Sequence, residues 1–206
     1  MNYHVPLISD KQYHIFNKSI GTDKFFLCDN DYNVFKRKYI EYIHPVVDTF
    51  SFNLLPNHFH LQVQIKSYEY LRDLFSKKYP HRIPADGWQP NFVMQQFSNM
   101  MNGYAKRFNT RYHRQGGLFK NYLRRLEIVD DQQFDNTLFY IHKNPVHHNY
   151  CEKIEHWPWS SYHEILADTP TVIQRKKILD WFGGREKFIQ FHQQTIFLKN
   201  SIIFDL

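Results

Sequence analysis

Apolar and polar residues alternate most regularly between positions 58 and 65 of the chain. The apolar residues of this stretch are Phe59, Leu61, Val63 and Ile65. A period of two is typical of a β-strand that buries one face in the core. A second apolar-rich stretch at 46–55 precedes it, and Pro56-Asn57 predicts a turn between the two. The pattern therefore predicts a β-hairpin over 46–65.

Spacings of three and four residues predict helices at 32–43, 91–112 and 130–144. In the last of these, Phe134, Leu138 and Ile141 share one face, and Pro145 is predicted to end the helix. Further strands are predicted at 13–20 and, after the turn at Gly116-Gly117, at 118–128. Strands that alternate with helices and include a hairpin favour an α+β fold, an antiparallel sheet covered by helices, over a parallel doubly wound sheet.

Two histidines lie on the polar side of the strand at 58–65. His58 and His60 flank Phe59, so their imidazoles are predicted on the face opposite the apolar residues. They lie about 7 Å apart along the strand and can share one divalent cation with a third ligand. Because the chain has 13 histidines, a chance pairing also explains the motif.

A candidate for the rest of the site lies in the helix predicted at 130–144. Tyr140 and Asn144 are spaced i, i+4 and therefore project from one helix face. Each also has a structural interpretation, since Tyr140 fits a core aromatic and Asn144 fits a helix cap. Tyr104, on another predicted helix among basic residues, is a rival nucleophile, but Phe108 occupies its i+4 position.

Several motifs occur together along most of the chain. They are Tyr13-His14-Ile15-Phe16-Asn17, Pro56-Asn57-His58-Phe59-His60, Arg107-Phe108-Asn109, Gly116-Gly117-Leu118-Phe119-Lys120, Tyr140-Ile141-His142-Lys143-Asn144-Pro145-Val146 and Trp157-Pro158-Trp159-Ser160-Ser161-Tyr162. In this combination the chain resembles the REP-associated tyrosine transposases, which are HUH-type single-strand DNA endonucleases. It departs from their pattern after Asn-Pro-Val, where His147-His148-Asn149 replaces a small residue and glycine. We expect that departure to affect a loop and not the proposed ligands.

The resemblance implies a ferredoxin-like fold and a role for each site residue. Tyr140 would be the nucleophile, and His58, His60 and Asn144 would bind Mg²⁺ or Mn²⁺. It further implies cleavage and rejoining of single-stranded DNA hairpins through a 5'-phosphotyrosine link. A homodimer is possible, and the resemblance leaves open whether one chain or two build each site.

The charge of the chain agrees with a nucleic-acid partner. The formal net charge is +6, and basic residues recur beside aromatic ones. Such mixtures hold phosphates while rings stack on unpaired bases, although solvated surface faces have the same composition. The predicted DNA-binding residues are Lys106, Arg107, Arg111, Arg114, Lys120, Arg124 and Arg125.

The length and composition of the chain predict a single domain over 1–206. Its residues 171–206 are predicted to form a C-terminal helical extension with a turn at Trp181-Phe182-Gly183-Gly184. Two cysteines do not suggest a disulfide framework, and the first residues lack the apolar core of a signal peptide. No apolar run predicts a membrane span, so we expect no membrane partner and a cytoplasmic location.

Two other functions remain open from the sequence. His58-Phe59-His60-Leu61-Gln62 also matches the His-x-His-x-Gln pattern of nucleotidyl transferases and hydrolases in which a histidine attacks phosphorus. Tyr140 would then be dispensable. Alternatively, the chain is a noncatalytic DNA-binding protein that has kept the fold.

Overall fold

The sheet has four antiparallel strands in the order β2-β3-β1-β4. The computed structural model describes residues 3–193 of the chain. Its strands are β1 (Gln12–Lys18), β2 (Val47–Leu55), β3 (His58–Ile65) and β4 (Arg124–Ile128). Its helices are α1 (Asp29–Tyr42), α2 (Tyr68–Lys78), α3 (Trp88–Arg111), α4 (Asp131–His147), α5 (Ser161–Leu166), α6 (Arg175–Phe182) and α7 (Arg185–Gln193).

One face of the sheet carries the main hydrophobic core. The apolar residues of β3 point into this core, as their alternation predicts, and meet α1 and α3. Phe35 of α1 packs on Phe59 with the ring centroids 5.2 Å apart. The hydroxyls of Tyr39 and Thr49 form a 2.6 Å hydrogen bond between α1 and β2.

Helix α4 covers the opposite, polar face. Gln62 donates from Nε2 to the Phe134 carbonyl at 3.1 Å, and Asn53 donates from Nδ2 to the Ile141 carbonyl at 2.7 Å. His58, His60 and Gln62 are all buried. The alternation predicts a strand with only one buried face, but β3 is buried on both faces. Helix α4 covers the polar face, where hydrogen bonds such as that of Gln62 satisfy buried polar side chains.

Helix α4 continues through Pro145 to His147, so the prediction that Pro145 ends the helix is wrong. Proline has no backbone N–H and leaves the carbonyl four residues earlier without its helical donor. That carbonyl belongs to Ile141, and it accepts the side-chain amide of Asn53 on β2 instead. A contact distant in sequence therefore compensates for the proline.

Strand β4 and helix α2 also differ from the sequence predictions. Strand β4 begins at Arg124 and not at 118, because the segment before it joins the sheet edge only through an isolated bridge between Ser19 and Phe119. Helix α2 was not predicted; its capping Ser67 and the spacing of Leu71, Leu74 and Phe75 were the available signals. The predicted 171–206 extension includes α6 and α7, and its residues 194–206 lie outside the described part.

Gly183 ends α6 with a positive φ of 76°, which makes the predicted turn before α7. Both cysteines are free thiols. Among the described helices, none has the length and apolar character needed to cross a bilayer.

Candidate active site

The four residues proposed from the motifs lie together in the structure, between β3 and α4. His58 and His60 project from the polar face of β3, and Tyr140 and Asn144 lie one turn apart on α4. Nε2 of His58 is 2.9 Å from Oδ1 of Asn144, and the rings of His60 and Tyr140 are 5.4 Å apart between centroids. All four are buried, with Tyr140 5% exposed. One chain therefore supplies all four side chains.

His58 lies between two oxygen acceptors. Its Nδ1 is 2.8 Å from Oδ1 of Asn57, while its Nε2 faces Oδ1 of Asn144. Burial lowers the pKa of His58 to about 4, so the ring is neutral near pH 7 and has one N–H. Only one of the two contacts can then be a hydrogen bond.

The His58 nitrogen without a proton faces an oxygen that cannot donate to it. Two arrangements would remove this mismatch at Nε2. Either a cation lies between the two acceptors, or the Asn144 amide turns so that Nδ2 donates to the ring. In the orientation described, Nδ2 of Asn144 is buried and has no hydrogen-bond partner within residues 3–193. If Nδ1 of His58 carries the proton, its bare Nε2 and the Asn144 oxygen face each other in a way that fits a divalent cation; if Nε2 carries the proton, His58 donates to Asn144.

His60 has a nitrogen of the same kind. Its Nδ1 lies 2.9 Å from Nε2 of His14, whereas its Nε2 is buried without a hydrogen-bond partner in the described part of the chain. Burial lowers the pKa of both rings, of His14 to about 3, so both are neutral. If His60 donates its Nδ1–H to His14, its Nε2 keeps a lone pair for a ligand.

A cation at this site would need the side-chain amide of Asn144 as a ligand besides the two histidines. Over residues 3–193, no group of three or more His, Cys, Asp or Glu side chains is arranged to hold a metal ion. The residues that fit a cation are therefore two imidazoles and the Asn144 oxygen, which leaves coordination positions for water or phosphate.

His14 is the site residue to which sequence reasoning assigned no role. It lies on β1 next to β3, fully buried, with its ring 5.1 Å from that of His60 and 5.9 Å from that of Tyr140. Its position one residue after the buried Tyr13 was the available signal, because successive strand residues point to opposite faces. Phe16, on the same face, stacks on His60 at 5.6 Å and packs with Tyr140.

A buried hydrogen-bond chain links α4 to α7 and β2. His142, on α4, contacts Nε2 of His192 through Nδ1 at 2.8 Å and Oγ of Ser161 through Nε2 at 2.7 Å. His192 donates from Nδ1 to the Phe188 carbonyl, and Ser161 accepts the Phe52 backbone N–H. Burial lowers the pKa of both histidines, so both are neutral, and the Phe188 carbonyl sets the direction: His142 donates to His192, and Ser161 donates to His142. The Ser161 hydroxyl also lies 3.2 Å from the Phe52 carbonyl, to which it cannot donate at the same time.

The segment 157–161 lies along β2. Leu54 donates its backbone N–H to the Trp159 carbonyl at 2.9 Å, and Trp157 donates from Nε1 to the Leu54 carbonyl at 3.1 Å. With the bond between His142 and Ser161, these contacts hold the second half of α4 against the strand beside His60.

The predicted DNA-binding residues lie in different parts of the molecule. Lys120 and Arg124 lie near the end of β1 that pairs with His58, because Lys120 bonds to the Lys18 backbone and Arg124 pairs with Phe16. Lys106, Arg107 and Arg111 line a groove on α3, the helix that covers the other face of the sheet.

Two of the predicted DNA-binding residues have structural partners. Arg114 forms a salt bridge with Asp23, 2.7 Å long. Arg125 donates to the backbone carbonyls of His4, Val5 and Leu123 and so attaches the N-terminal segment to β4. Their contribution to DNA binding stays a prediction.

Tyr104, the rival nucleophile, is part of the core. It is 1% exposed, and its hydroxyl donates to the Phe25 carbonyl. Burial raises the pKa of the Tyr104 hydroxyl, which disfavours the tyrosinate form needed for attack. It lies on α3 in the main core, on the face of the sheet opposite the two histidines of β3.

Comparisons with known proteins give relatives in sequence and in fold. No family model matches the chain. A Haemophilus influenzae protein named "Putative REP-associated tyrosine transposase" is 29% identical over 122 residues, which cover 58% of this chain and 61% of that protein. A solved REP-associated tyrosine transposase bound to a REP hairpin matches with a TM-score of 0.56 at 14% identity, over 82% of this chain and 88% of the other. The chain is thus similar to REP-associated tyrosine transposases in sequence over part of its length and in fold over most of it. The structural match confirms the predicted α+β, ferredoxin-like fold.

One departure from the REP-associated tyrosine transposase pattern reaches the site. Asn149 has a positive φ of 56°, the left-handed conformation that glycine adopts after a helix, so it replaces the expected glycine without a change of backbone. His148 caps α4, and its ring lies 4.9 Å from that of His58. The expectation that this departure affects only a loop is therefore wrong.

Proposed function

We propose that the protein cleaves and rejoins single-stranded DNA, with Tyr140 as the nucleophile. The observation that carries this proposal is the placement of Tyr140 against His60, beside the contact between His58 and Asn144. A tyrosine next to a cation-binding group is the arrangement that phosphodiester transfer requires.

The proposed reaction conserves the number of phosphoester bonds. The Tyr140 oxygen loses its proton and bonds to phosphorus, the bond from phosphorus to the 3' oxygen breaks, and the departing oxygen takes up a proton, so no net proton is consumed. The DNA 5' to the break ends in a 3' hydroxyl, and the DNA 3' to it remains linked through its 5' phosphate to Tyr140. Attack by a 3' hydroxyl on that link reverses the step and joins the strands.

Two imidazoles and one amide oxygen would hold Mg²⁺ or Mn²⁺. His58 and His60 would coordinate through Nε2, and Asn144 through Oδ1. When bound, the cation neutralises charge that develops on the phosphate oxygens. If the two histidines donate their Nδ1 protons to Asn57 and His14, both Nε2 lone pairs are available for the cation.

The proposed site is complete within one chain. Tyr140, Asn144 and both histidines approach each other without a second copy, so we propose catalysis by a single chain. A homodimer is not required for this chemistry.

The structure favours attack by tyrosine over attack by histidine. In the His-x-His-x-Gln interpretation Gln62 would face the substrate. Gln62 instead donates to the Phe134 carbonyl and accepts from Ser51, and it is fully buried. Its contacts hold α4 on the sheet.

We propose a DNA hairpin flanked by single-stranded DNA as the substrate. The support is the matched transposase structure, whose partner is a REP hairpin. The basic residues near β4 supply charge for the DNA backbone.

The test is covalent capture. The protein is mixed with labelled hairpin oligonucleotides and Mg²⁺ or Mn²⁺, then denatured, and the expected result is an acid-stable adduct of protein and DNA. Tyr140→Phe and chelator should each abolish the adduct, since the first removes only the attacking oxygen and the second removes the cation. Tyr70→Phe, on exposed α2, is the matched control and should form adduct as wild type does.

Two results would overturn the proposal. Tight DNA binding by wild type without adduct on any hairpin would support the noncatalytic binding function. An acid-labile adduct that survives Tyr140→Phe would support attack by a histidine.

A further inference from the structure

Three cationic side chains lie together beside the candidate metal site. Lys18 ends β1, and its Cα pairs with that of His58, so the two side chains leave the same face of the sheet. Lys120 donates its backbone N–H to the Lys18 carbonyl at 2.8 Å. Arg124 pairs with Phe16 on the same face, two residues before Lys18. We call Lys18, Lys120 and Arg124 the basic triad.

The basic triad has no acidic partner in the described part of the chain, where the salt bridges involve other lysines and arginines. Burial lowers the pKa of Lys18, and the charges of Lys120 and Arg124 lower it further. Cations held together without a carboxylate repel one another, and a bound anion offsets that repulsion. The basic triad therefore suits a phosphate.

Aromatic rings adjoin the basic triad. Tyr122 lies between Lys120 and Arg124 in sequence and is 70% exposed, with one ring edge against His4 at 5.2 Å. The Arg124 guanidinium lies over the ring of Tyr3 at 5.3 Å. An exposed ring among cations is typical of surfaces that bind a single strand, because an unpaired base can stack while its phosphate pairs with the charge.

We propose that the basic triad binds a backbone phosphate next to the phosphate that Tyr140 attacks, with Tyr122 stacking on the adjoining unpaired base. The inference rests on the proposed function, since it assigns the register of the strand relative to Tyr140. The inference adds Lys18 and Tyr122 to the DNA-binding residues predicted from the sequence. It also places Lys120 and Arg124 at the same nucleotide of the bound strand.

The first test measures binding without catalysis. Fluorescein-labelled dT12 is titrated with protein in EDTA at several salt concentrations, and anisotropy reports the Kd. Lys18→Gln, Lys120→Gln and Arg124→Gln should each raise the Kd roughly 3- to 10-fold and reduce the salt slope by about 0.7, the value for one phosphate of a single strand. Lys77→Gln, an exposed lysine on α2, is the control for loss of one charge and should change the Kd less than about twofold.

A second pair of variants separates charge and stacking from folding. Arg124→Lys keeps the charge and should retain most of the affinity that Arg124→Gln loses. Tyr122→Leu should weaken binding to dT12 roughly 5- to 10-fold but leave binding to an abasic strand of equal length unchanged, because that strand offers phosphates without bases. Thermal melting confirms that each variant is folded.

The third measurement tests the register. At saturating hairpin DNA with Mn²⁺, the basic-triad variants should form adduct more slowly than wild type, because the phosphate beside Tyr140 is less well held. Unchanged Kd, salt slope and adduct rate in all three Gln variants would overturn the inference while the proposed function stands. If the wild-type protein forms no adduct but the variants lose dT12 binding, the proposed function fails and the basic triad remains a single-strand site. Weaker binding with an unchanged adduct rate would overturn the register.

Discussion

His60 shows how a neighbouring residue can select one form of a ligand. A neutral imidazole carries its proton on one nitrogen, and only the other can bind a cation. Nε2 of His14 lies 2.9 Å from Nδ1 of His60, within hydrogen-bond distance. If His14 accepts the Nδ1 proton, Nε2 of His60 is the nitrogen that can bind a cation. Outer partners of this kind orient histidine ligands in metal sites.

His14→Leu should therefore weaken cation binding without disturbing the ligands themselves. The expected loss in Mn²⁺ affinity is roughly 10- to 100-fold, because His60 loses the acceptor that holds its Nδ1 proton. Mn²⁺ titration followed by electron paramagnetic resonance, without DNA, measures it. His14→Gln offers an amide oxygen as a replacement acceptor and should recover part of the affinity. Equal Mn²⁺ affinity in wild type and His14→Leu would show that His14 does not set the tautomer.

At the scale of elements, the position of α4 decides the site. Tyr140 and Asn144 are useful only if the helix lies over β3 with the correct rotation. Gln62, Asn53 and the bond between His142 and Ser161 attach α4 along its length. Two of these attachments use backbone carbonyls of α4, so they fix the helix independently of its side chains.

Asn53→Ala should destabilise the protein by about 1–3 kcal/mol, because the Ile141 carbonyl then lacks both a helical and a side-chain donor. Pro145→Ala restores the N–H that can bond this carbonyl within α4. The variant with both Asn53→Ala and Pro145→Ala should therefore have a higher free energy of unfolding than the sum of the two single changes predicts. Urea unfolding measures all four proteins. Additive free energies of unfolding in this cycle would contradict the compensation of Pro145 by Asn53.

At the scale of the whole molecule, charge differs between the two ends of the sheet. The end with His58 carries the basic triad. The opposite end, where β1 begins and β4 ends, is lined by Asp10, Glu127, Asp130 and Asp131, with Lys11 paired to Glu127. This polarity directs a polyanion toward the end that carries the candidate active site.

A mixing experiment tests whether one chain builds the site. His58→Ala lacks a proposed metal ligand and Tyr140→Phe lacks the proposed nucleophile, so neither should form adduct. A mixture of the two should also form none, because each chain combines its own β3 with its own α4. Adduct from the mixture, measured on the same labelled hairpin, would show that two chains share the site. A mixture of wild type with either variant is the control. It shows whether a variant chain by itself inactivates the wild-type chain.

Local patterns determined much of this protein. The two-residue period separates His58 and His60 from the core face, and the four-residue spacing places Tyr140 and Asn144 on one side of α4, because both depend only on backbone geometry within one element. The combined motifs also indicated the transposases to which the chain is similar. These features need no knowledge of which elements are neighbours.

The tertiary structure decided what those residues touch. It placed His14 against His60, supplied Asn53 to the carbonyl freed by Pro145, buried the polar face of β3 under α4 and brought Lys18 to the side of His58. Each outcome joins residues far apart in the chain, where no local period relates one partner to the other. The sequence thus determined the faces of the elements, and packing determined how those faces combine into a site.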